Sequence, residues 1–179
     1  MSLGPFSTRT FTVGLISDTH GWLRPEAVDA LRGCDFIIHA GDIGDLVVLD
    51  ELWRVAPVTA VRGNNDRGSW ATALPQTNVL KVGAAVVFVI HNLADLDVDP
   101  SAAGFHVVVS GHSHQPAHRM ERGVLFVNPG SAGPRRFKLP IAVGRLLVAG
   151  THVTPQLFEL QTTGVGVGKR GDLGRHVGL

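Results

Sequence analysis

Aspartate, asparagine and histidine recur where apolar runs of this chain end: Ser17-Asp18-Thr19-His20, Gly41-Asp42, Gly63-Asn64-Asn65-Asp66, His91-Asn92 and Ser110-Gly111-His112-Ser113-His114. Each stretch alone has an ordinary explanation. Asp18 could cap a turn, Gly41-Asp42 and Asn64-Asn65-Asp66 are common turn formers, and His91 could be a satisfied core histidine. Independent turns would rarely agree so well, because Asp18, His20, Asp42, Asn64, His91, His112 and His114 all offer oxygen or imidazole donors. That is too many for one tetrahedral zinc. The set suits two five- or six-coordinate ions sharing a bridging carboxylate, and mixed nitrogen and oxygen donors fit manganese, iron or zinc.

The elements that must bring these residues together are strands. Phe11 to Ile16, Phe36 to Ile38, Pro57 to Val61, Ala84 to Ile90 and Phe105 to Val109 are short apolar runs of the kind buried on both faces. Each would deliver its polar stretch to the carboxyl end of a sheet, where open α/β sheets keep their ligands. If the backbone stays extended past Ser110, His112 and His114 point to the same side, and the same spacing relates Asp18 to His20. A helix is expected from Pro25 to Arg32, with Gly33 at its end, and an amphipathic segment from Asp45 to Val55. Gln76 to Val82 pairs with Ala84 to Ile90 across a turn at Gly83, and Val124 to Val127 feeds the turn Asn128-Pro129-Gly130-Ser131. Ile141 to Val148 and Thr151 to Glu159 read as an antiparallel edge. His39 reads as a packed or hydrogen-bonded histidine, and Asp95, Asp97 and Asp99 as a solvated face.

Composition bounds the rest. The 179 residues suffice for one domain with a sizeable core; 44% are hydrophobic and 17% charged, which excludes disorder. One domain is expected over 8–161, followed by a glycine-rich, mobile tail over 162–179. A net charge of +1 and the lack of a long basic or aromatic-interleaved strip argue against nucleic acid as partner. No apolar run is long enough to span a bilayer and no signal pattern opens the chain, so no membrane is expected. The single cysteine, Cys34, points to a reducing cytoplasm.

The ordered set Asp-x-His, Gly-Asp, Gly-Asn, His and Gly-His-x-His, over Leu15 to about Arg135, resembles the calcineurin-like metallophosphoesterase superfamily. The small size, the Gly-Asn-x-Asp form of the third motif and Asn128-Pro129-Gly130-Ser131 are similar to the YfcE-type small phosphodiesterases. The resemblance implies an α/β fold, a two-sheet β-sandwich flanked by helices in four layers. It implies that Asp18, His20 and His114 hold one metal, that Asn64, His91 and His112 hold the other, and that Asp42 bridges them. Manganese is the first expectation, with iron, zinc or nickel as alternatives. The implied activity is hydrolysis of small phosphodiesters, or monoesters, by attack of a metal-bound hydroxide, with charge spread over both ions.

Asp42, Asn64 and Asp66 are then the residues expected to serve the reaction, Asp66 by orienting its loop. Asn65 and Arg67 are expected at the substrate, Arg67 steadying negative charge. Many relatives place a histidine where this chain has Asn65, and an asparagine amide cannot act as a general acid, so good leaving groups should be favoured. Asn92, where relatives often carry glycine, is expected to narrow the site. The rival expectation is a non-catalytic protein-interaction scaffold, since a retromer subunit shares this fold. Intact ligands favour catalysis. Homo-oligomerisation is left open. Ligands of neighbouring ions should lie within roughly 12 Å of each other, which makes the Asp18 to His112 separation the first geometric test.

Overall fold

The computed structural model describes residues 9–136 and 138–162. Residue 8, the first of the expected domain, and 163–179, nearly all of the expected tail, lie outside them.

The first apolar runs form β1 (Thr10–Ile16), β2 (Phe36–His39) and β3 (Val58–Ala60), which lie parallel and adjacent. They are joined by α1 (Pro25–Leu31) and α2 (Leu46–Trp53). Pro25 stands in the first turn of α1, where a missing N–H leaves no bond unmade, and the Asp45 carboxylate caps α2 by accepting from Val47 N–H at 3.0 Å. A single-turn helix, α3 (Ser69–Thr72), comes after the third loop and carries no sequence signal, being too short for a hydrophobic period.

The remaining strands are β4 (Thr77–Val82), β5 (Ala85–Ile90), β6 (Val107–Val109), β7 (Ala117–Glu121), β8 (Val124–Asn128), β9 (Ala142–Ala149) and β10 (His152–Glu159). Two five-stranded sheets result, ordered β10-β9-β1-β2-β3 and β4-β5-β6-β8-β7. Of the two closing strands only β10 is an edge; β9 lies between β10 and β1, pairing with both.

Alternation assigns the layers. Leu15, Ile38, Val87, Val89, Val107 and Val109 fill the space between the sheets, whereas Ile16 and Ile37 face the helices with Leu31 and Leu52. Phe88, Ile90, Val108 and Phe126 face outward from the second sheet, covered by Leu93, Leu96 and Phe105. Because both faces are buried, these strands read as unbroken apolar runs rather than alternating ones. The layers are those of the expected sandwich, with the outermost one over the second sheet formed by a 3-10 turn (Leu93–Asp95) and a loop instead of an α-helix. Among the described residues no helix is long and apolar enough to cross a membrane.

β5, β6 and β8 are also parallel, so loops leave both sheets at one end. Backbone bonds stitch them together there: Asp18 N–H donates to Gly41 C=O (3.0 Å), His20 N–H to Asp42 C=O (2.9 Å), and Gly111 N–H to His91 C=O (2.9 Å). This end holds the polar stretches.

Candidate metal centre

The expectation of an extended backbone past Ser110 is overturned. His112 and His114 have φ of 67° and 60°, and Asp18, His20 and Asp42 have φ of 54°, 49° and 53°. Arg122 is the one other non-glycine residue in this region among those described. Each such residue costs roughly 1–2 kcal/mol, and the loops turn sharply because their peptide groups are tied to neighbouring loops. His112 and His114 therefore diverge instead of sharing a side, whereas Asp18 and His20 converge on one group. His114 goes to Asp18 and His20, while His112 goes to Asn64 and His91.

Asp18 is fully buried, and its two oxygens differ. Oδ2 accepts from Ser17 Oγ (2.6 Å) and from His112 N–H (3.1 Å), so Asp18 and His112 lie far inside the separation set as the test. Among the described residues Oδ1 accepts no hydrogen bond; His114 Nε2 stands 3.2 Å away without the geometry of one. Ligand atoms of Asp18, His20 and His114 all fall within 4.8 Å of one another, as do those of Asp18, Asp42 and His91. Asp18 is common to both groups, where the resemblance implies Asp42 as the shared member. Asp42, 2% exposed, stands between the histidines: its Oδ2 is 3.9 Å from His20 Nε2 and its Oδ1 3.5 Å from His91 Nε2.

Asn64 completes the second group, its Oδ1 lying 3.0 Å from both His91 Nε2 and His112 Nδ1. His91 Nδ1 donates to the Ala40 carbonyl at 2.7 Å, which turns Nε2 toward Asp42 and Asn64. A buried carboxylate oxygen without a donor, set among imidazole nitrogens held in this orientation, fits a divalent cation.

Electrostatics follow from burial. Burial alone would raise Asp42, yet hydrogen bonds from His91 and from the backbone and side chain of Asn65 hold it well below the usual carboxylate range. Burial pulls His91 down, but Asp42, the Ala40 carbonyl and Asp18 bring it above its ordinary value. His20 is lowered by burial, against Asp42 and with Arg136.

The neighbouring residues take definite places. Asn65 turns to Asp42, donating its backbone N–H to Oδ1 (2.7 Å) and Nδ2 to Oδ2 (2.5 Å). Asp66 faces the backbone: Oδ2 accepts from Gly63 N–H (2.7 Å) and Oδ1 from Gly44 N–H (2.8 Å), tying the third loop to the second. Arg67 lines a groove of about 750 Å³ that also reaches Asn64, His91 and His112. Residues not expected at the site are Ser17, which orients Asp18, and Arg136, whose guanidinium lies 3.3 Å from His20 Nε2. Arg136 belongs to a turn-rich stretch with no periodicity, so nothing in the sequence aims it.

His39 is buried and bonded, as expected. Gly41 N–H donates to Nδ1 (3.2 Å), so Nε2 carries the proton and donates to Thr19 Oγ1 (2.9 Å), whose own hydrogen goes to the Ile43 carbonyl (2.9 Å). A second ring proton would confront Gly41 N–H. Burial, with the opposing pull of Asp18, sets this imidazole at about 3 against an ordinary 6.5. The unfolded chain therefore binds this proton first as pH falls below 6.5, and stability is lost at up to about 1.4 kcal/mol per pH unit. Urea unfolding of wild type and His39→Gln should show the variant less stable at pH 7.5, with the gap closing toward pH 5. A gap independent of pH would refute the account.

The calcineurin-like phosphoesterase superfamily domain matches residues 11–150. A protein of Methanocaldococcus jannaschii named a probable metallophosphoesterase is 36% identical over 135 residues, covering 68% of each chain. A phosphodiesterase of the same organism is 26% identical over 137 residues, 66% of this chain and 82% of its own. Vacuolar protein sorting 29 of Cryptosporidium parvum superposes with a TM-score of 0.73 at 19% identity, over 88% of this chain and 94% of that one, a likeness of fold. Since the matched span runs from the first strand through the last donor loop, the chain belongs to the calcineurin-like phosphoesterase superfamily.

Proposed function

We propose that this protein is a dinuclear-metal phosphoesterase that hydrolyses small phosphodiesters in the cytoplasm. The observation that carries the reading is Asp42, a buried carboxylate lying between His20 and His91 with further donors on either side. Asp18, His20 and His114 would hold one cation, Asn64, His91 and His112 the other, and Asp42 both; manganese suits this donor set. Bound there, the cations would supply positive charge for a phosphoryl group and acidify a water.

The chain's own groups do the rest. Asn65 holds both oxygens of Asp42, and Asp66 positions the loop bearing Asn64 and Asn65. Arg136 beside His20 and Arg67 in the groove can each meet phosphoryl oxygens from outside, the guanidinium fork matching their spacing. Asn65 has no proton to give a departing alkoxide, so esters of acidic alcohols should react best.

The test is hydrolysis of bis(4-nitrophenyl) phosphate by manganese-loaded protein, together with metal content. The expected result is two metal equivalents per chain and turnover lost on chelation, and lost together with the metal below about pH 5 as the imidazoles protonate. Likeness to vacuolar protein sorting 29 favours a second reading, a protein-interaction scaffold. An inert chain that takes up no metal would overturn the phosphoesterase reading and favour the scaffold.

A further inference from the structure

The groove beside Asn64, His91 and His112 is large for a phosphate alone, at about 750 Å³. Its walls include Arg62, Arg67, Gln76, Asn92, Asp95 and Asp97. Charges of both signs line it, yet among the described residues neither arginine pairs with either aspartate. Among the described residues no hydrogen bond engages the side chains of Arg62, Arg67, Gln76, Asp95 or Asp97, and Asn92 uses only Oδ1, accepting from Ala94 N–H at 3.1 Å, so that its amide hydrogens remain open. Among the described residues, no aromatic ring beyond the two imidazoles contributes to the lining.

We infer that this groove holds one ester arm of the substrate, and that the arm is a hydroxyl-rich alcohol, a polyol or a sugar, not a nucleoside or an aryl group. A nucleobase or aryl ring would need an apolar or aromatic face to stack on, and among the described residues Ile90 is the one aliphatic side chain at the wall. Vicinal hydroxyls both donate and accept. Carboxylates can take their hydrogens while guanidinium and amide groups give hydrogens to their oxygens, so a groove with both kinds of open group satisfies a diol where a wall of one sign would not. The inference rests on the proposed phosphodiesterase reading and narrows its substrate class.

Three diesters sharing one leaving group isolate the arm: glyceryl, ethyl and 4-nitrophenyl esters of 4-nitrophenyl phosphate. In each, the oxygen of water bonds to phosphorus, the bond to nitrophenolate breaks, and two protons pass to solvent, leaving the monoester of the retained arm. With manganese-loaded full-length protein, kcat/KM should be about tenfold higher for the glyceryl than for the ethyl ester, the worth of one or two hydrogen bonds. It should also exceed that of the bis-aryl ester after correction for the second equivalent leaving group. The double variant Asp95→Ala/Asp97→Ala should bring the glyceryl to ethyl ratio near one. As a readout independent of turnover, calorimetry should find glycerol 3-phosphate bound about tenfold tighter than ethyl phosphate. A wild-type ratio near one, a ratio that survives the double variant, or preference for the aryl arm would each overturn the inference while leaving the phosphodiesterase reading standing. No hydrolysis of any of the three would sink both.

Discussion

Asp42→Asn is expected to lower kcat/KM for bis(4-nitrophenyl) phosphate on the order of a thousandfold, the loss of several kcal/mol of charge stabilisation at the reacting centre. The substitution keeps the shape of the side chain and removes its charge. At wild-type Asp42 that charge persists at every working pH, because donors from His91 and Asn65 outweigh burial. An asparagine here would set its amide hydrogens against the donors of Asn65, leaving one of those without an acceptor. The cost to the metal-free fold should be about 1–2 kcal/mol, small enough for the far-ultraviolet spectrum to stay unchanged. The decisive measurements are kinetics and metal content per chain. A variant within tenfold of wild type and with full metal content would exclude Asp42 from the role assigned to it.

Gly44→Ala should be the most damaging conservative substitution of the second loop, lowering stability by about 3 kcal/mol and the metal-free Tm by roughly 6–12 °C. Gly44 has φ +83°, and a Cβ there would stand 2.3 Å from Gly21 N and 2.4 Å from the carbonyl carbon of His20. Both are backbone atoms and cannot swing aside, so the loop carrying His20 must shift. Gly104→Ala is the matched control. Its φ is +76° with nothing within 4 Å of the added methyl, so it should cost only the conformational preference, about 1 kcal/mol. Equal losses in the two variants, read by thermal unfolding, would show that the close approach at Gly44 carries no weight. Activity should fall further in Gly44→Ala than in Gly104→Ala, since only the former moves a donor.

Much of this was legible in the chain because burial on both faces leaves a simple mark. Leu15-Ile16, Ile37-Ile38 and Val107-Val108-Val109 are apolar at every position, and the polar stretch after each run falls at one end of the sandwich. Donor types were equally plain. Orientation was not: the reading that His112 and His114 share a side used the period of a strand, and both residues lie past the point where the strand ends. Arg136 and Ser17 acquire their places only through tertiary contact, and α3 is too short to impose a pattern. His39 was recognisable as buried, but its tautomer depends on Gly41 and Thr19, which approach it from separate loops.

The left-handed turns at Asp18, His20, Asp42, His112 and His114 mean that backbone and side chain make opposed demands at the same positions. Local geometry there would choose glycine, which has nothing to offer a cation, while coordination chemistry would choose residues that resist the turn. The cross-loop tethers reconcile the two, so the donor residues are not a portable cassette. Grafting these seven side chains onto another sandwich without Gly44, Gly63, Ser17 and Asp66 would reproduce the inventory of ligands and let the loops relax away from one another.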